Sequence, residues 1–142
     1  MDYAEYERVF NTGDDDLLVE RFFCEDVRFS GGSTDRVGHA GLLDFLRWAH
    51  DGVREVMRPQ AWVLDGDHLF AEVDMDFHAR KERPDFPFGH LHPGDTVTVK
   101  FLVHYRLSRK SALQWKFIRL KEHFAASQDA LIQRGFLSRR IN

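Results

Sequence analysis

The stretch Leu69-Phe70-Ala71-Glu72-Val73-Asp74-Met75-Asp76-Phe77-His78 alternates apolar with acidic or polar side chains. A period of two belongs to a half-buried strand, whose successive side chains point to opposite faces of a sheet. One face would carry Val73, Met75 and Phe77, and the other Glu72, Asp74, Asp76 and His78. The same period returns in Val97, Val99, Phe101, Val103, Tyr105 and Leu107, with Thr98, Lys100, His104 and Arg106 opposite. Upstream, Ala61-Trp62-Val63-Leu64 reads as a strand that turns at Asp65-Gly66-Asp67, and a last strand runs from Trp115 to about Phe124. Long strands joined by tight turns and one longer loop, 81–95, predict an antiparallel meander.

Working back toward residue 1, the period becomes helical. Tyr3, Tyr6 and Phe10 form one apolar stripe, and Asn11-Thr12-Gly13 stops that helix. One of Asp14, Asp15 and Asp16 can cap a second helix through Leu18, Val19, Phe22 and Phe23. Val27-Arg28-Phe29 reads as a short strand closed by Ser30-Gly31-Gly32-Ser33. A third helix starts after Gly38, buries Leu42, Phe45, Leu46 and Ala49, and ends at Gly52. A short helix over about Ser127–Arg134 would end at Gly135. Helices first and sheet second is an α+β layout.

The chain of 142 residues fits one domain, 1–142, and 13 phenylalanines supply a large apolar core. A net charge of −3 gives no general attraction to nucleic acid or anionic lipid. No apolar run is long enough to span a bilayer, which takes about 20 residues. The opening Met1-Asp2-Tyr3-Ala4-Glu5 lacks a basic then apolar leader pattern, and the lone Cys24 suits a reducing compartment. A cytoplasmic location is therefore expected.

Asp74-x-Asp76-x-His78 has the spacing of metal ligands on one strand face, but Lys100, His104 and Arg106 can pair with such a row across strands. A charge ladder is the expectation, and no metal site is assigned. His90-Leu91-His92 is a recognised metal-ligand pair that lacks a third ligand at a definite spacing. His39 and His50 bracket the third helix and read as packing or surface residues. Cys24, beside Phe22 and Phe23, reads as an inert, partly buried thiol. Gly-rich phosphate loops, Gly-x-Ser-x-Gly elbows and paired-Cys zinc spacings are absent from the sequence.

In the last strand, Glu122 shares a face with Leu120 and Phe124, where burial would suit it to act as a general base. A slip of one residue would instead turn His123 inward. The two alternatives stay open.

Three segments carry a family likeness. Phe22-Phe23-Cys24-Glu25-Asp26-Val27-Arg28-Phe29 resembles the entry to the first strand of nuclear transport factor 2-like proteins. Gly38-His39-Ala40-Gly41-Leu42-Leu43-Asp44-Phe45-Leu46 resembles their third-helix motif, and Ile118-Arg119-Leu120-Lys121-Glu122-His123-Phe124 resembles their final strand. The resemblance implies a cone-shaped α+β barrel: three amino-terminal helices on a curved, mainly antiparallel sheet around a cavity, with a short carboxy-terminal helix. Relatives include SnoaL-type cyclases, ketosteroid isomerase, limonene epoxide hydrolase and scytalone dehydratase.

By this resemblance Tyr6 stands where ketosteroid isomerase-like proteins carry the tyrosine that donates to a substrate oxyanion. Their general-base aspartate falls at about Phe29 and their second oxyanion donor at about Val103, so steroid isomerase chemistry is not expected. Ala125 replaces the acidic residue that SnoaL-like relatives often carry after the final strand.

The sequence thus reads as a domain that binds a small, largely apolar molecule, homodimeric through the convex sheet face and needing no cofactor. The expected walls are Phe10, Phe22, Phe45, Trp48, Trp62, Val73, Met75, Phe77, Phe101, Val103 and Tyr105. Tyr6 with Glu122 or His123 would carry acid–base chemistry of an isomerase, cyclase, lyase or hydrolase. The alternative is a non-catalytic binding or dimeric assembly module.

Overall fold

A computed structural model describes residues 2–31, 34–111, 114–120 and 137–141, with side chains described as far as residue 108. Helix α1, Tyr3–Phe10, begins where the Asp2 carboxylate accepts the Glu5 N–H at 3.1 Å, and buries Tyr3, Tyr6, Val9 and Phe10. Gly13, at φ +77°, makes the left-handed turn into α2, Asp15–Phe22, which is capped by Asp14 accepting from the Leu17 N–H at 2.9 Å. Phe23 does not extend α2 as expected. It opens strand β1, Phe23–Gly31, which is longer than the predicted strand because a hairpin partner, β2 at Thr34–Val37, pairs with its second half.

Helix α3, Gly38–His50, packs its Leu42, Leu46 and Ala49 against the sheet and is followed by β3, Val53–Asp65, and β4, His68–Ala79. Strands β5, Asp95–Ser111, β6, Gln114–Leu120, and β7, Leu137–Ile141, complete the sheet. Its order is β2-β1-β6-β5-β4-β3, with β7 paired to the first residues of β5. Every pairing is antiparallel except β1 with β6. The expected carboxy-terminal helix at 127–134, Glu122 and His123 lie outside the described residues.

The alternation fixes the register of β4 on β5, with Leu69 opposite Tyr105, Ala71 opposite Val103 and Val73 opposite Phe101. All six side chains face the helices. Around them form two clusters. One joins Tyr3, Tyr6, Val9, Phe10, Leu18, Val19 and Phe22 to Leu69, Val73 and Tyr105. The other sets Phe77, Val97 and Val99 against Phe86 and Leu91 of the β4–β5 loop. Burying each such aliphatic or aromatic side chain contributes about 1.5–3 kcal/mol.

The opposite face is a charge ladder, but of the three expected partners only Lys100 joins the row, Arg106 pairing with Asp67 and His104 with His68. Arg58 donates to both Asp76 oxygens at 2.6 and 2.8 Å, Thr98 donates to Asp76 at 2.6 Å, and Lys100 pairs with Glu72 and Asp74. His78 turns to the Thr96 hydroxyl at 2.9 Å and not to a carboxylate. The Arg58 hydrogen bond holds the Asp76 carboxyl below its ordinary range.

Candidate functional site

The chain has three tyrosines, and all three meet on the helix-covered face. Tyr3 and Tyr6, one helical turn apart on α1, stack at 5.7 Å between ring centroids. Tyr105 reaches them from β5, 6.2 Å from Tyr3 and 5.9 Å from Tyr6. Phe22 and Phe23 close edge-on around Tyr6 at 5.2 and 6.2 Å. Burial pushes all three phenols above their ordinary range, Tyr105 to about 12. Tyr105 stays the most acidic because the Tyr3 and Tyr6 hydroxyls both stabilise its oxygen. At neutral pH all three are uncharged donors. The Tyr3 Oη is buried beside the Tyr105 oxygen that it stabilises.

Beside the phenols lies a charged constellation that the sequence reading missed. His50, at the end of α3, places Nδ1 2.9 Å from Asp15 Oδ2 and Nε2 2.8 Å from Glu55 Oε2. Burial alone would lower the imidazole, but these two hydrogen bonds and the carboxylate charges lift it to about 10. Phe10 packs edge-on against the His50 ring at 6.4 Å and also contacts Tyr6 at 6.2 Å. The Glu55 charge in turn raises both Tyr6 and Tyr105. Asn11 fixes this corner: its amide donates to the Met57 carbonyl at 2.9 Å and accepts the Met57 N–H at 2.7 Å. That exchange also occupies backbone groups of the edge strand β3.

The expected walls divide. Tyr6, Phe10, Phe22, Val73 and Tyr105 lie in the tyrosine cluster, with Phe45, Met75 and Val103 partly buried against it. Phe77 and Phe101 belong to the second cluster, where Phe101 contacts Phe77 at 6.4 Å and Phe88 at 5.7 Å. Between the clusters, Met75, Phe101 and Val103 face the helix side and are only partly covered. Two of the expected walls are largely exposed. Trp62 is 53% exposed; beyond the register shift between Pro59 and Ala61 it lies opposite Ala71, on the face of the tyrosine cluster, where its ring meets Tyr3 at 5.4 Å. Trp48 is 42% exposed, on the outer side of α3, where its ring meets Phe45 at 5.9 Å and the Arg83 guanidinium at 5.4 Å.

Cys24 is buried as expected, and His39 packs through Nε2 at 2.8 Å from the Phe23 carbonyl. His90 and His92 stand beside Glu82, a neighbour that their spacing did not reveal. No helix among the described residues is long and apolar enough to cross a membrane.

A search of curated proteins finds no match to the sequence. Among solved structures, the fold is similar to a candidate polyketide cyclase from Xanthomonas campestris pv. campestris, at 19% identity and a TM-score of 0.66, covering 87% of this chain and 90% of that one. It is also similar to a candidate scytalone dehydratase from Novosphingobium aromaticivorans, at 17% identity and a TM-score of 0.65, covering 83% and 75%. A nuclear transport factor 2-like protein of unknown function from Burkholderia pseudomallei shares 14% identity with a TM-score of 0.63, covering 83% of each chain. Identities this low speak for the fold alone. The model of the SnoaL-like domain, however, matches residues 3–113, most of the length, and the chain belongs to that family.

Proposed function

We propose that the helix-covered face binds a small, largely apolar molecule and acts on it by cofactor-independent acid–base chemistry, of isomerase, cyclase, lyase or hydrolase type. The observation that carries this reading is the meeting of three neutral phenols in an apolar interior. Neutral donors in a dry site stabilise developing oxygen charge without themselves being desolvated ions. Tyr6 and Tyr105 take that role. Glu55, oriented by the His50 imidazolium, is the carboxylate beside them, and Glu122 or His123 is the base drawn from the last strand.

The partly covered side chains Met75, Phe101 and Val103 would receive the apolar body of the ligand, inside a cone-shaped barrel. The outer face, with Phe70 stacked on His104 at 4.3 Å beside the charge ladder, is the surface for a homodimer, to be read from the mass in gel filtration.

An apolar fluorophore, anilinonaphthalene sulfonate, should bind the folded protein at about one molecule per chain. Phe101→Asp, which places a charge on that surface, and Val103→Trp, which fills it, should each abolish binding. Saturable binding that survives both substitutions, or none to the parent, would remove the site. A non-catalytic ligand-binding module would pass this test yet convert none of the molecules it binds, whereas an enzyme's turnover should fall in Tyr6→Phe.

A further inference from the structure

The loop between β4 and β5 is tied by one isolated antiparallel bridge, in which Arg83 donates to the Leu91 carbonyl at 2.8 Å and Leu91 to the Arg83 carbonyl at 3.1 Å. Both residues are buried, Leu91 in the second apolar cluster and Arg83 against the end of α3. Side chains alternate across such a bridge, so the neighbours of Arg83 and Leu91 must point outward. Those neighbours are Glu82, Pro84, His90 and His92, and all four are exposed. The loop is anchored again at its ends: Arg80 donates to the Gly52 carbonyl at 2.8 Å and Gly94 to the Ala79 carbonyl at 2.9 Å. Gly52, at φ +71°, lies directly under the Lys81 side chain, where any Cβ would collide with Lys81 Cγ at 2.2 Å.

On this fixed frame His90 Nε2 lies 2.9 Å from Glu82 Oε1, and the His90 and His92 rings stack with centroids 4.4 Å apart. One ligand atom from each of the three residues lies within 4.8 Å of the others. Donors about 2.0–2.2 Å from a tetrahedral metal stand roughly 3.3–3.5 Å from one another, so rotation of exposed side chains is enough to close the set. Asp95 supports it from behind, accepting the His92 N–H at 2.9 Å with its carboxylate 3.5 Å from His92 Nδ1.

We propose that Glu82, His90 and His92 form a binding site for a divalent transition-metal ion, with zinc the best match. Two imidazoles and one carboxylate are a nitrogen–oxygen set suited to zinc, copper or nickel and poor for calcium or magnesium, which prefer all-oxygen shells. Three protein ligands leave a position open for water or an outside donor. The ion would join residue 82 to residues 90 and 92 and so close the short loop that carries Phe86 and Phe88. These two rings pack on Phe77 at 5.1 and 5.5 Å, so the site fastens an aromatic cover over the second cluster.

The test is calorimetric titration of the tag-free, chelator-stripped chain with zinc at about pH 7.5, where imidazoles are mostly neutral ligands. About one ion per chain should bind. His92→Ala and His90→Ala should each weaken binding by about 10–100-fold, and Glu82→Gln by about 10-fold. Melting temperature should rise with zinc in the parent and stay flat in the His90→Ala/His92→Ala double variant. Cobalt in place of zinc should give a visible absorption band that the double variant lacks. Absence of saturable binding, or equal affinity in the parent and the double variant, would overturn the proposal. The three side chains are exposed, so the unliganded variants should melt close to the parent.

Discussion

His50 Nε2 lies 2.8 Å from Glu55 Oε2, and this contact joins the last residue of α3 to the helix-covered face of β3. Asp15, 2.9 Å from the other ring nitrogen, brings the start of α2 to the same point. Two helices and the edge strand β3 are thereby tied through one imidazolium.

The pH dependence of that tie has a definite sign. The folded His50 titrates at about 10 against an ordinary 6.5, so its contribution to stability is complete below about pH 6.5 and disappears as pH rises toward 10. His50→Gln leaves Asp15 and Glu55 facing each other without the positive charge, and should cost on the order of 3 kcal/mol near pH 6. The difference between parent and variant should shrink steadily from about pH 7 to pH 10. Urea unfolding at a series of pH values measures it. A difference of the same size at both ends would show that His50 is not charged in the fold.

The tyrosines give a second reading of the interior. Because Tyr3, Tyr6 and Tyr105 are all the tyrosines present, phenolate absorbance reports this cluster alone. Burial raises each of them, so the folded protein should show no phenolate at about pH 10, where an exposed tyrosine is half ionised. Absorbance should appear only together with alkaline unfolding followed by circular dichroism. Tyr105→Phe removes the oxygen that the other two hydroxyls stabilise and should cost about 1–2 kcal/mol. Reversible titration of even one tyrosine near pH 10 in the folded chain would mean that water reaches the cluster.

How much of this was legible depends on the range of the signal. The alternation of 69–78 and 97–107 carried the register of β4 and β5, since a slip of one residue would turn every apolar side chain outward. The helix stripes and the turn at Gly13 were likewise local. Strand β2 was not: Thr34-Asp35-Arg36-Val37 is short and largely exposed, and only its pairing with β1 makes it a strand. Trp62 stands on the expected face, opposite buried Ala71, yet half exposed, because how far the helices cover the end of β3 is not written in an apolar run. The His50 tie was hidden for a different reason. Asp15 is 35 residues away, at a helix start where acidic residues are already explained by the dipole. Glu82 joins His90 and His92 only through a single backbone bridge, which leaves no periodic trace.

Arg83 offers a third prediction, about what holds the β4–β5 loop in place. Its guanidinium donates to the Asp51 and Ala49 carbonyls at 2.6 and 3.4 Å, which satisfies groups at the carboxy end of α3, where the helix dipole is negative. The remaining donors fork onto Asp85 at 2.9 and 3.1 Å, and this bonding holds the Asp85 carboxyl down at about 2. Trp48 and Phe86 cover the cation at 5.4 and 5.8 Å. A lysine cannot fork in this way, so Arg83→Lys should destabilise the chain almost as much as Arg83→Met, each by about 2–4 kcal/mol. The loss should persist in about 1 M salt, because a buried cation is little screened. Denaturant midpoints of the two variants measure it, and a lysine variant as stable as the parent would show that charge alone, not the planar fork, secures the loop.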